Sequence, residues 1–151
     1  MGGVEELYRE VILDHFKAPR NKGRIDRPDS EADGVNPLCG DQIKITSLLD
    51  DTLIKDVKFE GHGCAISQSS ASMMTAAVKG KTISEAIELT QRFKHILGVE
   101  GGTPHTNGSV DMDELGDLAA LEGVKKYPVR IKCALLAWNT LLQNLEQRLK
   151  S

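Results

Sequence analysis

The hydrophobic period changes twice along this chain, and those changes limit the folds open to it. From Val4 to Phe16 the apolar residues Val4, Leu7, Tyr8, Val11, Ile12 and Phe16 recur at steps of three and four. That spacing predicts an amphipathic helix, which ends before Pro19. Residues Asn21 to Asp33 are polar, contain Gly23 and Pro28, and read as a loop. Beyond Asp41 the period falls to two, with Ile43, Ile45 and Leu49 set against Gln42, Lys44 and Thr46. After a turn at Asp50-Asp51, Leu53 to Phe59 reads as a second strand with Lys55, Val57 and Phe59 in one register. The two strands predict an antiparallel hairpin.

The helical period returns at Ile66. One helix is expected from Ile66 to Lys79, closed by Gly80. Thr82 and Glu85 fit a capping box for the next, with Ile83, Ile87, Phe93 and Leu97 facing inward and Gly98 past its end. Gly101 to Gly108 reads as a flexible connection, and Asp113 to Leu121 as a short helix. A last helix opens at Pro128 and runs to about Leu149, with Ile131, Leu135, Trp138, Leu142, Leu145 and Leu149 in its stripe. Strands early and helices late predict an α+β fold: a small antiparallel sheet with helices packed on it. At 151 residues the chain is expected to form one domain over 1–151.

Composition removes several function classes. Aromatic residues are 4% of the chain, too few for a platform that stacks single-stranded nucleic acid. A formal net charge of −3 supplies no basic field for phosphate backbones, so no nucleic-acid partner is expected. No apolar run approaches the length of a membrane span, so no membrane partner is expected either. The N-terminal Met1-Gly2-Gly3-Val4-Glu5-Glu6 lacks the basic and apolar regions of a secretory signal, which predicts a cytoplasmic protein.

Three cysteines, an odd number, cannot close a disulfide framework in a monomer. Each stands at the edge of an element: Cys39 ahead of the first strand, Cys64 at the strand-to-helix turn, and Cys133 near the start of the last helix. A helix N-terminus beside Cys64 favours a thiolate. Asp41 lies two residues from Cys39, so both side chains leave an extended segment toward one face. Three thiolates and one carboxylate make the four donors that tetrahedral zinc takes. No CxxC pair is present, however, and a free cysteine also serves as a small buried hydrophobe, Cys133 above all. His62 is a ligand by type but reads as an exposed histidine, and His15, His95 and His105 read as solvated. Ser67, Ser69, Ser70 and Ser72 have no paired base in sequence and are expected to cap or pack their helix. Arg130 and Lys132 form either a charged helix face or a cationic flank to a thiolate site.

Three separated segments resemble the SufU/IscU family of iron–sulfur cluster assembly proteins: Asn36-Pro37-Leu38-Cys39-Gly40-Asp41, Gly61-His62-Gly63-Cys64-Ala65-Ile66-Ser67, and Arg130-Ile131-Lys132-Cys133-Ala134-Leu135-Leu136-Ala137-Trp138. Leu7-Tyr8, Asp14-His15 and Pro19-Arg20-Asn21 resemble that family's first helix and turn. The resemblance implies that Cys39, Asp41, Cys64 and Cys133 converge on one metal site. Lys132 stands where IscU-type chains carry histidine, and the stretch from Cys64 to Cys133 is longer than theirs; both features are similar to the SufU type. That type implies bound zinc, sulfur acceptance at Cys39 from a cysteine desulfurase (SufS-like), and Arg130 as a contact for that partner. Downstream cluster-assembly or carrier proteins are the implied recipients. The alternative is a scaffold holding iron or a transient 2Fe–2S cluster at the same four residues. A zinc hydrolase fits poorly, because four protein donors leave no position for a reacting water.

Overall fold

Residues 2–37, 40–99 and 116–150 are described in the computed structural model. The chain runs α1 (Gly2–Lys17), β1 (Ser30–Asn36), β2 (Asp41–Asp50), β3 (Leu53–His62), α2 (Ala65–Val78), α3 (Ile83–Ile96), a 3₁₀ segment (Gly116–Lys126) and α4 (Pro128–Lys150). The strands form one antiparallel sheet in the order β1-β2-β3. Helices pack on it, as the α+β reading requires. Gly101 to Gly108 and the start of the short helix expected at Asp113 lie outside the described residues.

The loop expected over Asn21 to Asp33 gives way to β1 at Ser30. This strand carries almost no hydrophobic signal. Its inward residues are Ala32 and Asn36, both buried, and Gly34 between them. A Cβ at Gly34 would overlap Thr140 Oγ1 and come within 3.2 Å of Leu136 on α4. Small residues let β1 lie directly on α4, so its period-2 alternation is one of size and not of hydrophobicity.

The β2–β3 hairpin forms as expected, with Asp51 at a φ of 56° in the turn. One register detail differs. Leu48 pairs with Asp56 but Leu49 pairs with Ile54, so Lys55 is the extra residue of a β-bulge. The bulge turns Lys55 outward and brings Ile54 inward beside Val57 and Phe59, all three fully buried.

Behind the sheet, α2 and α4 fill the core with Met74, Leu141, Leu145 and Trp138, whose ring centroid lies 5.0 Å from that of Phe93 on α3. The serines of α2 are helix-packing groups. Ser70 Oγ donates to Ala134 O at 2.6 Å and accepts from Trp138 Nε1 at 3.1 Å, tying α2 to α4. The capping box predicted for α3 is present, with Glu85 N donating to Thr82 Oγ1 and Thr82 N to Glu85 Oε1.

His15 is not solvated. It is 2% exposed, with Nε2 2.7 Å from Asp117 Oδ2 and Nδ1 2.8 Å from Ser72 Oγ. A carboxylate only accepts, so in the neutral ring Nε2 carries the hydrogen and Nδ1 accepts from the serine hydroxyl. Ser72 Oγ in turn accepts from Arg20 N at 2.8 Å. His15 thereby pins α1 to α2 and to the 3₁₀ segment.

Candidate metal centre

The three strongest candidate ligands among the described residues come from three elements and meet at one point. Asp41 opens β2, Cys64 is the N-cap of α2, and Cys133 lies in the second turn of α4. Their ligand atoms all lie within 4.8 Å of one another. Asp41 is 1% exposed, Cys133 is fully buried, and Cys64 is partly exposed, so the cluster opens to solvent on the Cys64 side. Cys39 lies outside the described residues.

The local backbone explains how this comes about. Strand β3 ends at His62, and Gly63 leads directly into the α2 N-cap. A Cβ on Gly63 would overlap Asp41 Oδ1 and stand 2.6 Å from Ser67 Oγ, so only glycine lets the chain pass this close to the carboxylate. Cys64 N then donates to Asp41 Oδ1 at 2.8 Å, and Asp41 Oδ2 lies 4.0 Å from Cys64 Sγ. As N-cap, Cys64 Sγ accepts from Ser67 N at 3.4 Å, which places the sulfur at the positive end of the helix dipole.

The donor set suits a divalent cation. Among the described residues no lysine, arginine or histidine pairs with the buried Asp41 carboxylate. A charge so enclosed is costly unless something positive balances it. Tetrahedral zinc with thiolates at about 2.3 Å sets its donors roughly 3.8 Å apart. The ligand atoms, all within 4.8 Å of one another and with Asp41 Oδ2 4.0 Å from Cys64 Sγ, lie near that spacing.

Cys133, which a Leu-rich helix made the best candidate for plain core, is thus both core and cluster. Its sulfur touches Asn36 Nδ2 at 3.6 Å and Val129 O at 3.6 Å. Asn36 was visible in sequence only as part of a motif; nothing in composition or period marks it as a contact to sulfur. His62 ends β3 exposed and stands apart from the cluster, as expected. Arg130 and Lys132 are exposed in the first turns of α4. Arg130 lines an open groove of about 580 Å³ together with Arg9, Ile12, Ile66, Lys126 and Tyr127.

Comparison with known proteins shows which family the chain is similar to. A family profile described as the NifU-like N terminal domain matches residues 7–134. The zinc-dependent sulfurtransferase SufU of Bacillus subtilis (strain 168) is 49% identical over 140 residues, 91% of this chain and 88% of that protein. The iron–sulfur cluster assembly scaffold protein IscU of Streptococcus pyogenes serotype M1 is 40% identical over 145 residues, 95% of this chain and 86% of that one. A crystal structure from Fervidobacterium islandicum AW-1, described as a candidate iron–sulfur cluster assembly scaffold protein for a SUF system, is 38% identical, with a TM-score of 0.81 over 95% of this chain and 99% of that one. The chain belongs to the NifU-like N-terminal domain family, the family of SufU- and IscU-type iron–sulfur cluster assembly proteins.

Proposed function

We propose that this chain, as a single domain in the cytoplasm, takes sulfane sulfur from the persulfide of a SufS-like cysteine desulfurase and passes it on for cluster assembly. Cys39, Asp41, Cys64 and Cys133 together hold zinc. The convergence of Asp41, Cys64 and Cys133 from three distant segments carries this reading. Chain connectivity keeps Cys39 two residues from Asp41, with Gly40 between them at a φ of 70°. The name and 49% identity of the Bacillus relative add support. Zinc, when bound, supplies the positive charge that keeps the coordinating thiols deprotonated at neutral pH.

Cys39 is the acceptor. Its thiolate attacks the outer sulfur of the partner's persulfide, the S–S bond of that persulfide breaks, and the partner cysteine leaves as a thiolate. Cys39 then carries the persulfide, while Asp41, Cys64 and Cys133 remain as a three-donor set. Arg130, exposed in the first turn of α4 beside Arg9 and Lys126, is the contact for the desulfurase, and carrier proteins of cluster assembly are the recipients.

A second reading is favoured by the relatives named as IscU scaffolds: iron or a transient 2Fe–2S cluster at the same four residues. Elemental analysis combined with a desulfurase-stimulation assay separates the two. Stoichiometric zinc, with stimulation lost in Cys39→Ser, is the expected result. Iron and sulfide with visible absorption would favour the scaffold, and undiminished stimulation by Cys39→Ser would remove Cys39 from the acceptor role.

A further inference from the structure

We propose that Asn36 is a positioning residue for Cys133, holding its sulfur as a metal-ready ligand through an amide hydrogen bond. This rests on the metal-site reading above. Asn36 ends β1 and is 6% exposed, and its Nδ2 lies 3.6 Å from Cys133 Sγ. It is also the cross-strand partner of Asp41, so one residue pair of the sheet supplies both a carboxylate donor and the support for a sulfur on another element. The close approach at Gly34 sets the depth of β1 against α4, and thereby the reach of Asn36 to Cys133.

Two contacts of Cys133 among the described residues differ in what happens when it binds a metal. A thiol points its hydrogen at an acceptor, and Val129 O, 3.6 Å away, is one. A coordinated thiolate has no hydrogen to give, so that contact lapses. The amide N–H of Asn36 donates to sulfur, and a donor bonds an anionic sulfur more strongly than a neutral one. The contact is therefore stronger in the metal-bound state than in the metal-free one, which is what raises affinity. Supporting hydrogen bonds of this kind orient ligands and are worth roughly 10–100-fold in metal affinity.

Competition of the full-length chain against a zinc chelator tests this in wild type, Asn36→Leu, Asn36→Asp and Cys133→Ser. Asn36→Leu keeps the branching and the number of side-chain heavy atoms and loses the donor; Asn36→Asp keeps shape and sets a like charge against the sulfur. Both are expected to weaken zinc binding at least tenfold, Asn36→Asp the more. With cobalt in place of zinc, the sulfur-to-metal charge-transfer band should move to lower energy in Asn36→Leu, because an unbonded thiolate gives up its electron more readily. Either variant alone suffices should the other fail to fold. A wild type that holds zinc, with both readouts unchanged in a folded Asn36 variant, overturns the inference and leaves the metal site standing. A wild type that holds no zinc, or a Cys133→Ser that holds it equally well, overturns both.

Discussion

The backbone N–H of Cys64 donates to Asp41 Oδ1 at 2.8 Å, so the carboxylate that faces the two thiols also anchors the turn carrying one of them. The two roles separate by substitution. Asp41→Asn retains an acceptor oxygen for Cys64 N and loses the charge. It is expected to unfold within about 1 kcal/mol of wild type when metal-free, yet to lose more zinc affinity than the roughly 10–100-fold that a supporting partner is worth. Asp41→Ala loses the anchor as well and should cost a further 1–3 kcal/mol or so. Urea midpoints of the metal-free proteins and chelator competition read the two effects independently.

Gly63 is the second determinant of that geometry. Gly63→Ala places a methyl against Asp41 Oδ1 and Ser67 Oγ, forcing a shift costing about 1–3 kcal/mol. Zinc retention should fall in parallel. Gly98→Ala is the contrast: φ there is 74° with open space around it, so it costs roughly 1–2 kcal/mol of backbone strain and leaves zinc retention unchanged. Thermal melts with metal analysis after dialysis distinguish the two variants.

His15 holds three elements together far from the sulfurs in sequence. His15→Ala empties a buried site and removes the acceptor of the Ser72 hydroxyl, and about 2–4 kcal/mol of stability should go with it. Asp117→Ala removes a partner that is 57% exposed and should cost no more than about 1 kcal/mol. Urea denaturation measures both, with zinc affinity of the folded fraction unchanged.

How much of this was legible in the sequence depends on how each residue earns its place. The helices and the β2–β3 hairpin announced themselves because Ile43, Ile45, Val57 and Phe59 alternate and Leu135, Trp138 and Leu145 recur at helical spacing, and burial rewards those patterns directly. Strand β1 was missed because Ala32, Gly34 and Asn36 are selected for smallness and hydrogen bonding against α4, which leaves no hydrophobic trace. Lys55 misled for a related reason, since a bulge shifts the period by one residue and no side chain marks it. His15 looked isolated because its partners, Ser72 and Asp117, lie 57 and 102 residues away. The cysteines and Asp41 were legible as candidate ligands from their edge positions, while their convergence needed the fold.

The α3 capping box predicts an acid-side pH dependence. Hydrogen bonds from the Thr82 backbone and side chain hold the Glu85 carboxyl below its ordinary value. A lowered carboxyl contributes stability above its unfolded value and loses it as pH falls through the folded one. Thr82→Ala should cost about 0.5–2 kcal/mol at neutral pH, and the difference from wild type should narrow as Glu85 protonates. Chemical denaturation across the acidic range checks the sign.

Where sulfur lands decides whether Cys39 is the acceptor. The chain is incubated with a cysteine desulfurase and cysteine, free thiols are blocked, and the peptides are weighed by mass spectrometry. One added sulfur on the peptide carrying Cys39, absent in Cys39→Ser, is the predicted result. Sulfur on the Cys64 or Cys133 peptide instead, or its persistence on the chain in Cys39→Ser, would show that Cys39 is not the acceptor.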